Sequence, residues 1–300
     1  MHKENTSSNA CDNALSLSRT YAVPSWVMAG TIYDNAHFIL AKNREAQSLK
    51  TGNIATKSTL HIAEIGLCFF ETASCIAYTE DDLPMALVDL PFTWHVHLPS
   101  DLPWSDGGRA AARIALELMD KVAFLGARRA VLHPPVCCAD EAVLLCDFMS
   151  VWVASGRCAE DVHIENIDGH DLLSLWPTIE TLGCRVCLDT GHLLAYRQDA
   201  LRDFLLGLDG VVGNVESEDT DFIHFASYNK AALARVGMMH LCGVRVNGSG
   251  RHAPLTVFGP AERAYIAAIC GAVPCDTVMM LELFTWEHVV ASWPLVREWV

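Results

Sequence analysis

No stretch of this 300-residue chain is both apolar enough and long enough to cross a bilayer, which takes about 20 residues. Residues 141–155 (EAVLLCDFMSVWVAS) come closest, but Glu141 and Asp147 interrupt the run and mark an amphipathic helix. A secretory signal is also missing, because the polar, Ser- and Asn-rich start reads as a loose tail over residues 1–22. Basic residues are scarce, with 21 Lys and Arg against 36 Asp and Glu for a net charge of −15, and no basic stripe is visible. Such a field repels polyanions, so neither nucleic acid nor a membrane is an expected partner, whereas divalent cations are concentrated by it. The twelve cysteines form no short disulfide framework. Most sit inside apolar runs, as Cys68, Cys187 and Cys242 do, which predicts reduced buried thiols and a cytoplasmic location. Cys137-Cys138 and Cys184-x-x-Cys187 are weak metal signals, since the members of the second pair face opposite sides of a strand.

What the chain does have is a regular alternation. Apolar, β-rich runs at residues 26–32, 62–70, 92–98, 129–133, 162–166, 185–189, 238–244 and 277–283 read as strands. Amphipathic helical patterns lie between most of them, at 107–126, 140–156, 171–183, 198–208 and 260–271. Eight strands with intervening helices in about 280 residues predict a single (β/α)8 barrel domain, α/β in class, over residues 23–300. A doubly wound open sheet competes, but no Gly-rich phosphate loop follows the first strand. Helical periodicity is poor over 41–58, and the acidic, Gly-containing piece 207–225 reads as an insertion in a loop.

In a barrel the C-terminal strand ends converge on one face. Here those ends carry His95 and His97, His133, Glu165, Asp189 with His192 shortly after it, His240 and Glu282. One such residue is ordinarily a satisfied, partly buried polar group. Six consecutive strands ending this way crowd imidazoles and carboxylates that only a cation would reconcile, so a divalent-metal site with more than one ion is expected. Carboxylates with imidazoles suit zinc, manganese or iron(II). Gly107-Gly108-Arg109 at a helix start offers amides and a cation to a phosphate, although an ordinary helix N-terminus reads the same way. Trp104 in that loop could cover a planar ligand or simply pack.

The segments WHVHLPSD, VLHPP, HIENI, CLDTGHL, MMHLCGV and MLELF, in this order, resemble the xylose-isomerase-like barrel superfamily that includes endonuclease IV. Within it, Val96–Asp101, Glu64 with Phe70-Glu71, and Glu282-Leu283-Phe284 followed by Ser292 are similar to the cobamide-remodelling phosphodiesterases of the CbiR type. The resemblance spans residues 29–300. It implies that His97, His133 and Glu165 hold one ion, and that Glu165 bridges to a second held also by Asp189, His240 and Glu282. The carboxylates Glu165, Asp189 and Glu282 are the catalytic ones in that scheme. His95 would support His97 from behind, and Glu71 would touch substrate or support a ligand. The implied reaction is metal-dependent cleavage of the phosphodiester in the nucleotide loop of a cobamide. A sugar isomerase or epimerase using Glu165, Asp189, His240 and Glu282 is the alternative, with an abasic-site endonuclease or a non-catalytic corrinoid-binding barrel behind it. The chain departs from the pattern in two places. Cys242 stands where relatives tend to have a histidine, and Arg251 stands where they have an acid just before His252. A third ion is therefore not expected, and His192, Arg251 and His252 are expected to face the substrate.

Overall fold

The computed structural model describes residues 19–50, 59–136, 140–207, 228–245 and 251–300. Eight parallel strands close on themselves in sequence order. They are β1 (Tyr21–Pro24), β2 (Glu64–Cys68), β3 (Thr93–His97), β4 (Ala130–Leu132), β5 (Val162–Glu165), β6 (Arg185–Asp189), β7 (Val236–His240) and β8 (Val278–Met280). The ring is sealed by β1 against β8, with Tyr21 opposite Met279 and Ala22 opposite Met280. Around it run α1 (Ile32–Lys50), α2 (Thr72–Ile76), α3 (Gly108–Lys121), α4 (Glu141–Ala154), α5 (Trp176–Leu182), α6 (Thr190–Ala195), α7 (Asp199–Leu206), α8 (Lys230–Leu233), α9 (Pro260–Ala272) and α10 (Trp286–Trp299). Among the described residues no helix is long and apolar enough to cross a membrane.

Strand alternation divides the core in two. Val186 and Leu188 of β6 point outward into the layer beneath the helices, which also takes Trp152, Phe148 and Leu118. The inward set is separate and small: Ala22, Cys68, Val131, Cys187, Met238, Val278 and Met280. Cys184 and Cys187 fall on opposite sides of this division, so they do not converge on a shared ion. The described cysteines are free thiols, while Cys137-Cys138 lie outside the described residues.

The first strand is Tyr21–Pro24, upstream of the predicted 26–32. Residues 26–31 instead form a loop wrapped around a buried asparagine, whose Oδ1 accepts from the Val27 and Met28 amides (Asn35, 2.8 and 2.9 Å). Residues 19–22, placed before the boundary at residue 23, are part of the barrel, since Tyr21 and Ala22 lie in β1 and Arg19 donates to the carbonyls of Pro274 and Cys270 at 2.7 and 2.9 Å. Helix α1 covers much of the stretch with poor periodicity. Thr31 and Asp34 cap it reciprocally, and its buried face includes Asn35 and Asn43, polar residues that break the apolar count. Asn43 serves as a bracket, donating to the Ile62 carbonyl at 2.7 Å and accepting from the Ile62 amide at 2.9 Å. Of the acidic piece 207–225, only Gly207, which ends α7 in the left-handed region, is described.

Helices α3 and α4 meet without room for a side chain between them. A Cβ on Gly108 would stand 2.0 Å from the Leu144 carbonyl oxygen and 2.9 Å from the Phe148 amide nitrogen. Both neighbours are backbone and cannot rotate away, so Gly108→Ala is expected to cost about 3 kcal/mol, the upper part of the overpacking range. Urea denaturation of the variant checks this, and an unchanged midpoint would contradict the tight α3–α4 contact.

Candidate metal centre

The inward side chains at the C-terminal strand ends meet around Glu165 at the end of β5. One carboxylate oxygen, Oε2, lies 3.1 Å from His97 Nε2 and 3.0 Å from His133 Nε2. The other, Oε1, lies 2.7 Å from His240 Nδ1. Glu282, just beyond β8, closes the group, with Oε1 3.9 Å from His97 Nε2 and Oε2 3.5 Å from His240 Nδ1. Donor atoms of His97, Glu165, His240 and Glu282 all lie within 4.8 Å of one another. His97 is fixed from behind, where Nδ1–H donates to the Leu98 carbonyl at 3.0 Å and leaves Nε2 facing the carboxylates. A backbone acceptor on the far nitrogen is the usual way a ligating imidazole is oriented.

Asp189 ends β6 beside this group, fully buried. Its Oδ1 accepts the His192 amide at 2.6 Å, capping α6. Its backbone is gripped by Asn166, which accepts the Asp189 amide at 2.7 Å and donates to its carbonyl at 3.0 Å. Asn166 also donates to Gln198 at 2.8 Å. Asn166 has a weak sequence signal, an Asn directly after a strand-end acid, and its role as a bracket for the neighbouring strand emerges only in three dimensions.

Burial opposes charge throughout, and neighbours decide each case. Burial would raise the Glu165 carboxyl, but His240 and His97 hold it well below the usual range. Glu282 follows the same pattern, brought down to about 2 against burial by His240 and His252. Asp189 goes the other way, pushed up to about 6 by burial and by Glu282 and Glu165, against the pull of His192. His240 is raised well above its ordinary value, the nearby Cys187, Glu282 and Glu165 outweighing burial.

The donor set fits divalent ions. Three buried carboxylates, Glu165, Asp189 and Glu282, lie beside the imidazoles of His97, His133, His240 and His252, and donor atoms of His97, Glu165, His240 and Glu282 stand within 4.8 Å of one another.

A cavity of about 440 Å³ opens over this centre. It is bounded by His192, Arg251 and His252 and by three aromatic residues given no site role from the sequence, Phe70, Tyr196 and Phe284. Phe70 is 57% exposed and stacks at a tilt on Phe284, 5.7 Å between centroids. Tyr196 stacks on His192 at 5.5 Å. Phe70 and Phe284 stand in motifs that carry the family resemblance, but single aromatics at strand ends and helix termini otherwise look like core in a sequence. His252 has a left-handed backbone (φ 56°), and Nδ1 lies 3.3 Å from Glu282 Oε2. Arg251 is 64% exposed at the rim, with Asp168 3.9 Å away. Gly250, two before His252, lies outside the described residues.

Three expected residues are not brought to the centre. Arg109 lies on the outer face of α3, bonded to Asp147 of α4 at 3.2 Å, because Gly108 turns that helix start into the α4 contact. Glu71 is exposed at the start of α2, where it accepts from Ser74 at 2.6 Å. Trp104 is buried and packs on Phe148 at 5.4 Å, which resolves its two readings in favour of packing. His95 is deeper than His97 and bonds to Glu64, while His97 is held by the Leu98 carbonyl, so the expected support of His97 by His95 is not seen. His95 sits fully buried with Nδ1 2.6 Å from Glu64 Oε1, and Gly66 makes room, since a Cβ there would meet His95 Nε2 at 2.6 Å.

Fold and site together define the class: a closed (β/α)8 barrel with a carboxylate–imidazole cluster at its C-terminal face. The chain is similar in structure to endonuclease IV from Thermus thermophilus (16% identity, TM-score 0.55, covering 93% of this chain and 98% of that one). It is similar also to a D-tagatose 3-epimerase-like protein (15%, 0.54, 93% and 96%) and to a xylose isomerase domain containing protein from Salmonella typhimurium (13%, 0.53, 94% and 94%). No family model matches the chain. No curated protein matches it in sequence.

Proposed function

We propose that this barrel is a metal-dependent phosphodiesterase that cleaves the nucleotide-loop phosphodiester of a cobamide, the first step in exchanging its lower ligand. The arrangement that supports hydrolysis most is the double grip on Glu165, with His97 and His133 at one oxygen and His240 at the other. A one-ion isomerase site needs Glu165, Asp189, His240 and Glu282 but gives no purpose to His97 and His133. His97, His133, Glu165, Asp189, His240 and Glu282 would hold two divalent ions, zinc, manganese or iron(II). Bound there, such ions supply Lewis acidity toward phosphoryl oxygens and lower the pKa of water.

The chain's own residues would do the rest. Arg251 and His192 at the mouth suit the phosphate, Arg251 through its planar fork of donors. Exposed Phe70 with half-buried Phe284, and Tyr196, offer apolar faces to the bulky, partly planar remainder, which is too large for the cavity and would rest on its rim. The charge of −15 and the absence of a basic stripe speak against an abasic-site endonuclease.

The test is incubation of the full chain with coenzyme B12 and zinc, manganese or iron(II) in turn, followed by chromatography. The expected product is the cobinamide-type fragment, formed only with metal and lost on chelation. Parallel arms with ketohexoses and abasic duplex DNA separate the readings. Turnover of a ketohexose without cleavage of the cobamide would replace this proposal by the isomerase.

A further inference from the structure

Next to the Glu165-centred cluster lies a second group of donors with a different composition. Cys242 Sγ, a His252 ring nitrogen and a Glu282 carboxylate oxygen all lie within 4.8 Å of one another. Asp189 adds a fourth donor, its Oδ2 3.4 Å from the same sulfur. Glu282 stands between the groups, with Oε1 toward His97 and Oε2 shared between His240 and His252.

We propose that Cys242 is a thiolate ligand of the second ion, which sits among Cys242, His252, Glu282 and Asp189, while the first occupies the group around Glu165. Around a tetrahedral zinc, with bonds of about 2.3 Å to sulfur and about 2.0–2.2 Å to nitrogen and oxygen, ligand atoms stand roughly 3.5 Å apart. The separations here, 3.4 Å from the sulfur to Asp189 Oδ2 and within 4.8 Å among the other three donors, have to contract onto the ion. The surroundings hold the sulfur in place. Thr190 Oγ1 accepts the Cys242 amide at 3.2 Å and donates to its carbonyl at 3.0 Å. A Cβ on Gly191 would fall 2.7 Å from the sulfur, so this glycine leaves the space the thiolate needs. His252 is presented by a short antiparallel bridge between Gly243 and Ala253, with amide–carbonyl bonds of 2.7 Å in both directions. Sulfur in the donor set favours zinc or iron over manganese or magnesium. Arg251, beside His252, points to the rim and is no part of the ligand set.

This inference rests on the reading of the site as metal-binding and on no particular substrate. It is tested on the metal-depleted full chain loaded with cobalt(II). The expected result is about two cobalt ions per chain and a near-ultraviolet thiolate-to-cobalt charge-transfer band. Cys242→Ser should lose the band and one of the two ions, whereas Cys68→Ser and Cys187→Ser, at the two cysteines of the inward core, should keep both. Cys242→His should hold two ions without the band, an outcome that loss of packing would not produce. Cobalt bound with no thiolate band, or a band that survives Cys242→Ser, overturns the assignment and leaves the metal centre standing. Failure to bind cobalt at all overturns both.

Discussion

Glu165→Gln is expected to reduce turnover by at least about 10³-fold, the upper end of what the loss of one well-placed electrostatic group costs, while the barrel stays folded. The amide keeps the size and shape of the side chain, so the buried position is not vacated. It does not keep the charge or the second acceptor. His97 and His133 on one side and His240 on the other now share a neutral group with a single carbonyl oxygen. Metal content should fall with turnover, and thermal unfolding of the metal-depleted protein should change little by comparison. Metal analysis, a steady-state assay of cobamide cleavage and circular dichroism on the same preparation decide the matter. Full metal content with full activity would remove Glu165 from the centre of the site.

The second large effect is on stability and lies at the other end of the barrel interior. Glu64 at the start of β2 is buried, with His95 on one oxygen and the Arg129 guanidinium on the other, where Thr93 also donates at 3.1 Å. Burial alone would raise its pKa, but His95 and Arg129 bring it down to about 2 from the ordinary 4.5. The carboxyl is therefore more acidic folded than unfolded. Its stabilising contribution is fully present above about pH 4.5 and is lost as the pH falls toward 2. Glu64→Gln is expected to cost about 3–5 kcal/mol at neutral pH, the range for removing one partner of a buried ion pair. The gap from wild type should narrow steadily across the acid window. His163, held down to about 3 by burial and Arg129, is neutral at neutral pH and adds no charge to this group there. Urea titrations of both proteins at several pH values check the prediction, and a gap that is independent of pH would refute it.

The barrel is legible in the sequence because its signal is collective. Seven of the eight strands fall within or beside their predicted runs, since a fully buried parallel strand is an unbroken apolar run bounded by polar turns. The first strand is misplaced because the loop after Tyr21–Pro24 is the more apolar run and is organised by Asn35, a contact no periodicity shows. The ligand candidates are readable for the same geometric reason, as polar residues ending apolar strands. What escapes notice depends on side-chain direction between distant segments. Gly107-Gly108-Arg109 looks like a phosphate cradle in sequence, yet Gly108 is there for the α4 backbone and Arg109 turns outward. Phe70 and Phe284 are 214 positions apart and become a shelf only once β2 and β8 flank β1. Cys242 is visible as a departure from a histidine, but its nearness to Asp189 and His252 needs coordinates.

The inward core beneath the centre is unusual in kind. Barrel interiors are mostly filled with branched Val, Ile and Leu, whereas four of the seven residues here are sulfur-bearing: Cys68, Cys187, Met238 and Met280. Unbranched, polarisable side chains adapt their shape at little cost. The floor on which Glu165, Asp189 and His240 stand is thus compliant where the wall beneath the helices is stiff. Were ions to bind or a substrate to dock, the proposed ligands would shift by fractions of an ångström and the disturbance would be absorbed before it reached the strands.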